Sequence, residues 1–344
     1  MLSQLITAQD RYNHVLIAPL NWGLGHATRM IPLINHCLSV GKTVTLASDG
    51  DALELLRREF PDLAYYELPG YDIRYAKNNT SLKIISQAPK IALKVTAECK
   101  AMASIVKECK PDLIISDNRL GVRHPDIRSV VVTHQVNLIS PISVLNKPAL
   151  KLNINYLNKF DEVWIMDYPD RRLSGKLSIP DGLDNYKYIG SHSRLNVPSD
   201  DSLTAREILV ILSGPEPQRT ILEEALLDTL SKEDYRYHII RGTTKPLNPK
   251  YQQQESEGHI SHLVKTTELN ALINTSKLVI TRTGYTSVMD LDAIGQLAIL
   301  IPTPGQSEQV YLGEHLQSHP LFDIVDQAKV QTDILPLITA NLLK

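Results

Sequence analysis

The first half of the chain alternates short apolar runs with longer segments in which apolar residues recur every three or four positions. The run HVLIAP at 14–19 is followed by a polar loop and then by a helical pattern to about residue 40. Such an alternation of strand, loop and helix is typical of a parallel α/β domain. Further strands are predicted at 43–47, 63–68, 112–116, 129–133, 162–166 and 186–189.

The pattern stops in a polar segment after Gly190 and then begins again. The second set of strands is predicted at 208–212, 237–240, 278–281 and 298–301, with helical patterns between them. We therefore predict two Rossmann-like parallel-sheet α/β domains that face each other across a cleft. The predicted boundaries are 1–190 for the first domain, 191–202 for a linker, 203–325 for the second domain, and 326–344 for a C-terminal helix that could pack back on the first domain.

Composition agrees with two packed domains. The 344 residues are 43% apolar and 22% charged, which excludes a disordered chain or a coiled coil. The formal charge of −2 argues against nucleic acid as a partner. Residues 1–190 carry 23 Lys and Arg against 19 Asp and Glu, whereas residues 191–344 carry 13 against 19. The halves could face different partners, or the difference could be ordinary surface variation.

The chain has the features of a cytoplasmic protein. Its three cysteines, Cys37, Cys99 and Cys109, cannot pair evenly as in a secreted disulfide framework. No signal-type apolar segment and no run of about 18 apolar residues is present. Lysines among apolar residues at 82–110 and 138–159 suggest peripheral contact with the inner face of a membrane, although ordinary amphipathic surface helices explain them equally well.

The loop NWGLGHATR at 21–29 joins the first strand to the first helix. Its glycines allow a ligand to approach the backbone at a helix N-terminus. As a dinucleotide fingerprint it lacks the third small residue, although Asp49 stands about where a ribose-binding acid is expected. Binding of NAD is therefore one alternative for this loop.

His26 lies in this loop, where a dinucleotide pyrophosphate would need bare backbone. An imidazole titrates near neutral pH and can accept a proton from a bound hydroxyl. Asp117 follows a later strand, and strand ends of a parallel sheet meet along one edge. We predict His26 and Asp117 as catalytic residues, base and orienting acid, the alternative being that both only cap helices. The residues expected to bind the acceptor are Gly23, Gly25, Arg29, Asn118 and His134.

Two loops of the second domain have the composition of phosphate-binding loops. Ser213 and Gly214 follow one strand, and TRTGYTS at 281–287 follows another. Both expose hydroxyls and backbone amides at a helix N-terminus, which suits a nucleotide diphosphate. Asp290 is placed to accept hydrogen bonds from ribose hydroxyls, unless it is an ordinary solvated helix acid. The residues expected to bind the donor are Ser213, Gly214, Gln218, Arg219, Arg282, Thr283, Gly284, Tyr285, Thr286, Asp290, Glu308 and Gln309.

The stretch TRTGYTSVMDLDAIGQLAILIPTPGQSEQVYL at 281–312 resembles the donor-binding C-terminal half of glycosyltransferase family 28. That family includes the bacterial lipid-intermediate GlcNAc transferase and diacylglycerol galactosyltransferases, and the GLGH loop resembles its N-terminal glycine motif. The resemblance implies a GT-B fold. It also implies inverting transfer of a hexose or N-acetylhexosamine from a UDP-sugar to an acceptor hydroxyl, which could be lipid-linked.

Position by position, the resemblance assigns Asp290 to the ribose, Gly284 to the phosphates, Gln309 to the donor sugar and His26 to the glycine motif. It also implies that the segment at 263–267, with Val264, holds the uracil edge. Two positions depart from the family pattern. Val310 stands where the peptidoglycan enzyme has a second glutamine, and Asp replaces Glu at 290. These departures leave the donor sugar open, and the first argues against the peptidoglycan enzyme itself.

No metal site and no cofactor are predicted, with the UDP-sugar acting as co-substrate. Asp290 and Asp292 lie two residues apart on a predicted helix and so point to different faces, whereas Asp49 and Asp51 more plausibly cap a helix. The charge of departing UDP must then be met by helix N-termini and by an arginine, either Arg219 or Arg282. Three alternatives remain: a UDP-sugar epimerase of the same fold, an NAD-dependent oxidoreductase, and a non-catalytic sugar-nucleotide sensor.

Overall fold

The computed structural model describes residues 12–71, 88–139, 142, 144, 146–195 and 206–343. The chain forms two compact units that divide between Arg194 and Leu195. This division falls inside the segment predicted as the linker, 191–202, of which residues 196–202 lie outside the described part of the chain.

The first unit is a parallel sheet of seven strands in the order β3-β2-β1-β4-β5-β6-β7. Its central strands are buried on both faces, which explains why they are continuous apolar runs in the sequence. The strands are β1 (His14–Pro19), β2 (Thr43–Ser48), β3 (Ala64–Glu67), β4 (Leu113–Asp117), β5 (Arg128–Thr133), β6 (Glu162–Ile165) and β7 (Tyr186–Tyr188). The described helices are α1 (Leu24–Ser39), α2 (Gly50–Glu59), α3 (Ala88–Cys109) and α4 (Asn146–Leu157).

The second unit is a parallel sheet of six strands in the order β10-β9-β8-β11-β12-β13. The strands are β8 (Arg206–Ile211), β9 (Tyr237–Ile240), β10 (Ile260–Ser261), β11 (Ser276–Arg282), β12 (Ala298–Ile301) and β13 (Phe322–Ile324). The helices are α5 (Gln218–Leu230), α6 (Gln252–Ser256), α7 (Thr266–Asn274), α8 (Tyr285–Ile294), α9 (Ser307–His315) and α10 (Val330–Leu342).

Both sheets have the strand order of a Rossmann fold, which confirms the predicted fold class of two parallel α/β domains. In each unit the order reverses between two central strands, β1 and β4 in the first and β8 and β11 in the second. Ligands of open parallel sheets bind outside the carboxyl ends of such a pair. Each unit therefore has one edge at which functional side chains are expected.

The last helix, α10, belongs to the second unit. Val330, Ile334 and Ile338 lie on one face of it and are fully buried in the core that β8, β11 and α5 also form. That this helix could pack back on the first domain stays a prediction from the sequence. Within the described residues, no helix is long and apolar enough to cross a membrane.

Candidate active site

The predicted base lies at the carboxyl ends of β1 and β4. The loop after β1 enters α1 through Gly23, whose φ of 81° lies in the left-handed region that glycine adopts without strain. His26 follows in the first turn of α1, and Asp117 is the last residue of β4. β1 and β4 pair in parallel with Pro19 opposite Asp117, so the loop and the strand end meet.

His26, Asp117 and Arg29 form one hydrogen-bonded cluster. His26 Nδ1 lies 3.0 Å from Asp117 Oδ1. Arg29 donates from Nε to Asp117 Oδ2 at 2.6 Å and from Nη2 to Asp117 Oδ1. Asp117 and Arg29 are buried, whereas the side chain of His26 keeps 14% of its surface exposed. The imidazole is therefore the member of this cluster that a substrate can reach.

The charges of the cluster set the protonation of its members. Burial alone would raise the pKa of Asp117, but the Arg29 guanidinium and His26 outweigh burial and lower it to about 2. Burial lowers the pKa of His26, with Asp117 opposing this effect and Arg29 adding to it. At neutral pH the cluster holds an ionised carboxylate beside a neutral imidazole, which is the form that accepts a proton.

The residues predicted to bind the acceptor substrate differ in burial. Gly23 is exposed, and Gly25 and Asn118 are partly exposed. Asn118 has a φ of 56°, a conformation that is uncommon outside glycine and that Asn tolerates better than most residues. Arg29 and His134 are buried, and Arg29 Nη1 lies 3.0 Å from His134 Nδ1. The N–H groups of Arg29 thus contact Asp117 and His134 within the cluster and not the acceptor substrate.

Asp49, on which the NAD-binding alternative rested, has hydrogen-bond partners within the first unit. Its Oδ1 accepts a hydrogen bond from Arg119 Nη1, and its Oδ2 accepts one from Asn21 Nδ2 at 3.1 Å. Arg119 also pairs with buried Glu98 at 2.7 Å. Asp49 occupies the N-cap position of α2 but makes no side-chain capping bond, which corrects the expectation that it caps this helix. Its carboxylate stabilises the first unit internally.

The donor side is built at the carboxyl ends of β8, β11 and β12 in the second unit. Ser213 and Gly214 follow β8 and are exposed, and Gly214 has a φ of 98°. A Cβ at Gly214 would lie 3.8 Å from Thr303 Oγ1, so the loops after β8 and β12 approach each other. Gly284 is the N-cap of α8, and a Cβ added there would meet no atom within 4 Å. Backbone amides of this helix N-terminus are thus open to a ligand.

Arg219 and Arg282, the two candidate cations, have different surroundings. Arg219 contacts two carboxylates, with Nε 2.9 Å from Glu216 and Nη1 3.2 Å from Glu223. Arg282 is 1% exposed and, within the described residues, donates only to backbone carbonyls, including Gln218 O at 2.7 Å. Burial lowers the pKa of Arg282 to about 10, and among the described residues no carboxylate pairs with it. Its charge can therefore interact with an anionic ligand.

Two buried hydroxyls near Arg282 lack a partner. Thr283 Oγ1 follows β11 and Thr303 Oγ1 follows β12, and neither has a hydrogen-bond partner within the part of the chain that is described. The same holds for Arg282 Nε. Buried polar atoms are rarely left unsatisfied unless a ligand or water completes them. Gln309 accepts a hydrogen bond from the Thr303 amide at 2.9 Å, which orients its Nε2 group away from that contact.

The other predicted donor residues lie in loops and helices that follow strands of this sheet. Asp290 and Tyr285 are buried in α8, and Thr286 in the same helix is partly buried, as is Glu308 in the first turn of α9. Val264 lies in the loop between β10 and α7. The remaining residue is Gln218, which begins α5 and accepts a hydrogen bond from Gln327 at 2.7 Å.

Thr303 is not among the donor residues predicted from the sequence. Thr303 follows β12 much as Thr283 follows β11, so the rule that strand ends meet at one edge could have found it.

No cluster of three or more His, Cys, Asp or Glu that could hold a metal ion occurs within the described residues. Asp292, two residues after Asp290 in α8, has its Oδ1 3.5 Å from His319 Nε2.

Two family models match the chain over these same regions. Residues 209–336 match the glycosyltransferase family 28 C-terminal domain, and residues 18–124 match glycosyl transferase family 1. A similar curated protein is the UDP-N-acetylglucosamine–N-acetylmuramyl-(pentapeptide) pyrophosphoryl-undecaprenol N-acetylglucosamine transferase of Mannheimia succiniciproducens, which is 23% identical over 210 residues. The match spans 57% of this chain and 58% of that relative.

Solved structures show the same fold over nearly the whole chain. Spinosyn rhamnosyltransferase SpnG complexed with thymidine diphosphate has a TM-score of 0.63 at 13% identity, with 96% of this chain and 94% of that chain covered. MurG of Acinetobacter baumannii has a TM-score of 0.57 at 15% identity, with 96% and 91% covered. The glycosyltransferase SnogD from Streptomyces nogalater has a TM-score of 0.59 at 16% identity, with 96% and 92% covered.

Proposed function

We propose that this chain, a GT-B glycosyltransferase of the family 28 type, transfers a hexose or N-acetylhexosamine from a UDP-sugar to an acceptor hydroxyl with inversion at the anomeric carbon. The observation that carries the donor assignment is the buried charge of Arg282, which has no carboxylate partner among the described residues, beside the Thr283 and Thr303 hydroxyls, which have no hydrogen-bond partner there. A nucleotide diphosphate supplies the anionic acceptors that these groups lack.

The reaction is a single displacement. The acceptor hydroxyl loses its proton to Nε2 of His26 as its oxygen bonds to the anomeric carbon. The bond from that carbon to the diphosphate oxygen breaks, and UDP leaves with the electron pair. Arg282 and the N-termini of α5, α8 and α9 stabilise the charge that develops on UDP. Asp117 stabilises the imidazolium that forms on His26.

Within this proposal Asp290 binds the ribose, Gln309 the donor sugar, and the loop that contains Val264 the base. The donor nucleotide is open to a direct test, because a structural neighbour was solved with thymidine diphosphate. We expect a thermal-shift panel of UDP-, GDP- and TDP-sugars to show the largest stabilisation with a UDP-sugar, since ligands stabilise the folded state by mass action. NAD serves as the negative control, and stabilisation by NAD alone would contradict the proposal.

His26→Ala tests the base. We expect its turnover to fall by about 10² to 10⁴ while UDP affinity stays unchanged, because the imidazole acts on the acceptor. Asp290→Ala is the matched variant on the donor side, and it should weaken UDP binding measured by calorimetry. Unchanged turnover of His26→Ala with a defined acceptor would show that the base is another group. Release of free UDP without any transfer would favour the epimerase.

We further propose that transfer needs no divalent metal and that the acceptor is lipid-linked. The curated relative is named for an undecaprenol-linked acceptor, which supports a lipid carrier. Such an acceptor would place the protein in the cytoplasm at the inner face of the membrane. Transfer should persist in excess EDTA, since Arg282 and the helix N-termini can meet the charge of UDP. Loss of transfer in EDTA that Mg²⁺ restores would contradict the metal-free mechanism.

A further inference from the structure

We propose that Arg29 is a positioning residue that fixes which ring nitrogen carries the proton in both neighbouring imidazoles, His26 and His134. This inference rests on the proposed function, in which His26 is the base. Its geometric basis is a single buried guanidinium, 2% exposed, whose nitrogens lie within 3.0 Å of both rings and of Asp117.

The contact with His134 determines the tautomer of that ring. A guanidinium has five N–H donors and no acceptor. Arg29 Nη1 lies 3.0 Å from His134 Nδ1, so Nδ1 must present a lone pair to it. The ring proton of His134 then resides on Nε2, and the ring is an N–H donor through that atom.

The contact with Asp117 determines the tautomer of His26. Arg29 approaches Asp117 as a fork, with Nε on Oδ2 and Nη2 on Oδ1, so the buried carboxylate stays ionised and fixed in place. His26 Nδ1 lies 3.0 Å from Asp117 Oδ1. A lone pair on Nδ1 would face this anion, whereas an N–H there makes a charge-assisted hydrogen bond. Arg29 Nη2 also lies 2.9 Å from this Nδ1 and by itself would favour a lone pair there, as it does at His134. At His26 we infer that the ionised Asp117 carboxylate decides, because it already accepts from Arg29 Nη2 and the Nδ1 proton faces it.

The two rings therefore carry their protons on different nitrogens. His26 has its proton on Nδ1 and a lone pair on Nε2, as a general base requires. His134 has its proton on Nε2 and acts as a donor. Arg29 acts on the reaction through these partners and touches no substrate, which explains why the guanidinium is buried instead of lining the surface.

Long-range ¹H–¹⁵N NMR of the substrate-free full-length protein tests the inference directly, because protonated and unprotonated ring nitrogens differ in ¹⁵N shift. His26→Gln and His134→Gln spectra assign the two rings among the 11 histidines. We expect Nδ1–H for His26 and Nε2–H for His134 at neutral pH. Nε2–H on His26 or Nδ1–H on His134 would overturn the proposal. These spectra do not depend on activity, so failure of the proposed function and failure of this inference can be told apart.

Kinetics of Arg29→Met provide the second test. We expect turnover to fall by about 10²-fold, an effect of the size expected when a base is no longer held in its active tautomer. UDP affinity should change by less than about twofold, and His134 should lose its single tautomer. Arg29→Lys keeps a charge beside Asp117 and should recover part of the turnover but not the His134 tautomer. A folded Arg29→Met with wild-type tautomers and turnover would overturn the inference.

Arg29→Met leaves Asp117 as a buried, unpaired charge and could unfold the first unit. The double variant Arg29→Met, Asp117→Asn removes both charges and so avoids this penalty. If Arg29 acts through Asp117, the double variant should turn over no more slowly than Asp117→Asn alone. An additional loss of tenfold or more in a folded double variant would show that Arg29 acts in another way.

Discussion

At the scale of residues, Arg219 and Arg282 differ in their partners, and we expect them to differ in role. Both are buried, but Arg219 is neutralised by carboxylates, whereas Arg282 donates, within the described residues, only to carbonyl oxygens. An uncompensated buried charge is costly, and a fold retains one where a bound anion can complete it. Calorimetry on substituted proteins can distinguish these two roles.

We predict that Arg282→Gln lowers UDP affinity by about tenfold, which corresponds to roughly 1.4 kcal/mol, and leaves uridine affinity unchanged. The reason is that the guanidinium charge acts on the diphosphate, which uridine lacks. Arg219→Gln is the matched control, and it should lower the melting temperature without changing UDP affinity. An equal loss for UDP and uridine would indicate that Arg282 only holds the loops in shape.

The protonation of His26 leads to a prediction for the pH dependence of kcat/KM. Burial lowers the pKa of His26, so its neutral, proton-accepting form persists below the ordinary value of 6.5. The acidic limb of kcat/KM should therefore lie below pH 6.5. Asp117→Asn should move this limb further down, because Asp117 raises the pKa of His26. A limb at or above pH 6.5 in the wild-type protein would contradict the assignment.

At the scale of elements, the N-terminus of α8 is where the fold gives a ligand access to backbone. Gly284 has a φ of −80°, which any residue can adopt, and its missing Cβ faces open space. The fold therefore does not require glycine at this position. Under the proposed function, glycine is needed there because the diphosphate comes close to the first-turn amides. Gly214 differs, because its φ of 98° strains any other residue.

We predict that Gly284→Ala changes the melting temperature by less than about 2 °C but lowers UDP affinity by tenfold or more, because a methyl group would stand between the diphosphate and the amides. Gly214→Ala, in contrast, should cost about 1 kcal/mol of folding free energy through its backbone conformation. Differential scanning calorimetry and titration calorimetry measure the two effects. Unchanged UDP affinity in Gly284→Ala would place the diphosphate elsewhere.

At the scale of the whole molecule, the sequence predicts what depends on local pattern and misses what depends on distant pairing. Central strands such as β8 could be predicted because burial on both faces demands an unbroken apolar run. The two-residue β10 was missed, since so short a strand has no period to detect, and the three-residue β13 was missed as well. The pairing of Arg29 with Asp117 joins residues 88 positions apart and became visible only in the folded chain.

The first unit also has exposed apolar side chains among lysines, which leads to a prediction about membranes. Leu93 on α3 is 73% exposed between Lys90 and Lys94, and Leu152 on α4 is 52% exposed beside Lys151. Leucine inserts into the interface while each lysine adds about 1 kcal/mol on an anionic surface. We expect the protein to float with anionic vesicles at low salt, and Leu93→Ser with Leu152→Ser to reduce the floating fraction by more than half. Ile221→Ser, at a 47% exposed position of the second unit, is the control and should float as the wild type does. If the wild type stays unbound, the lipid-linked acceptor loses this support while the UDP-sugar assignment stands.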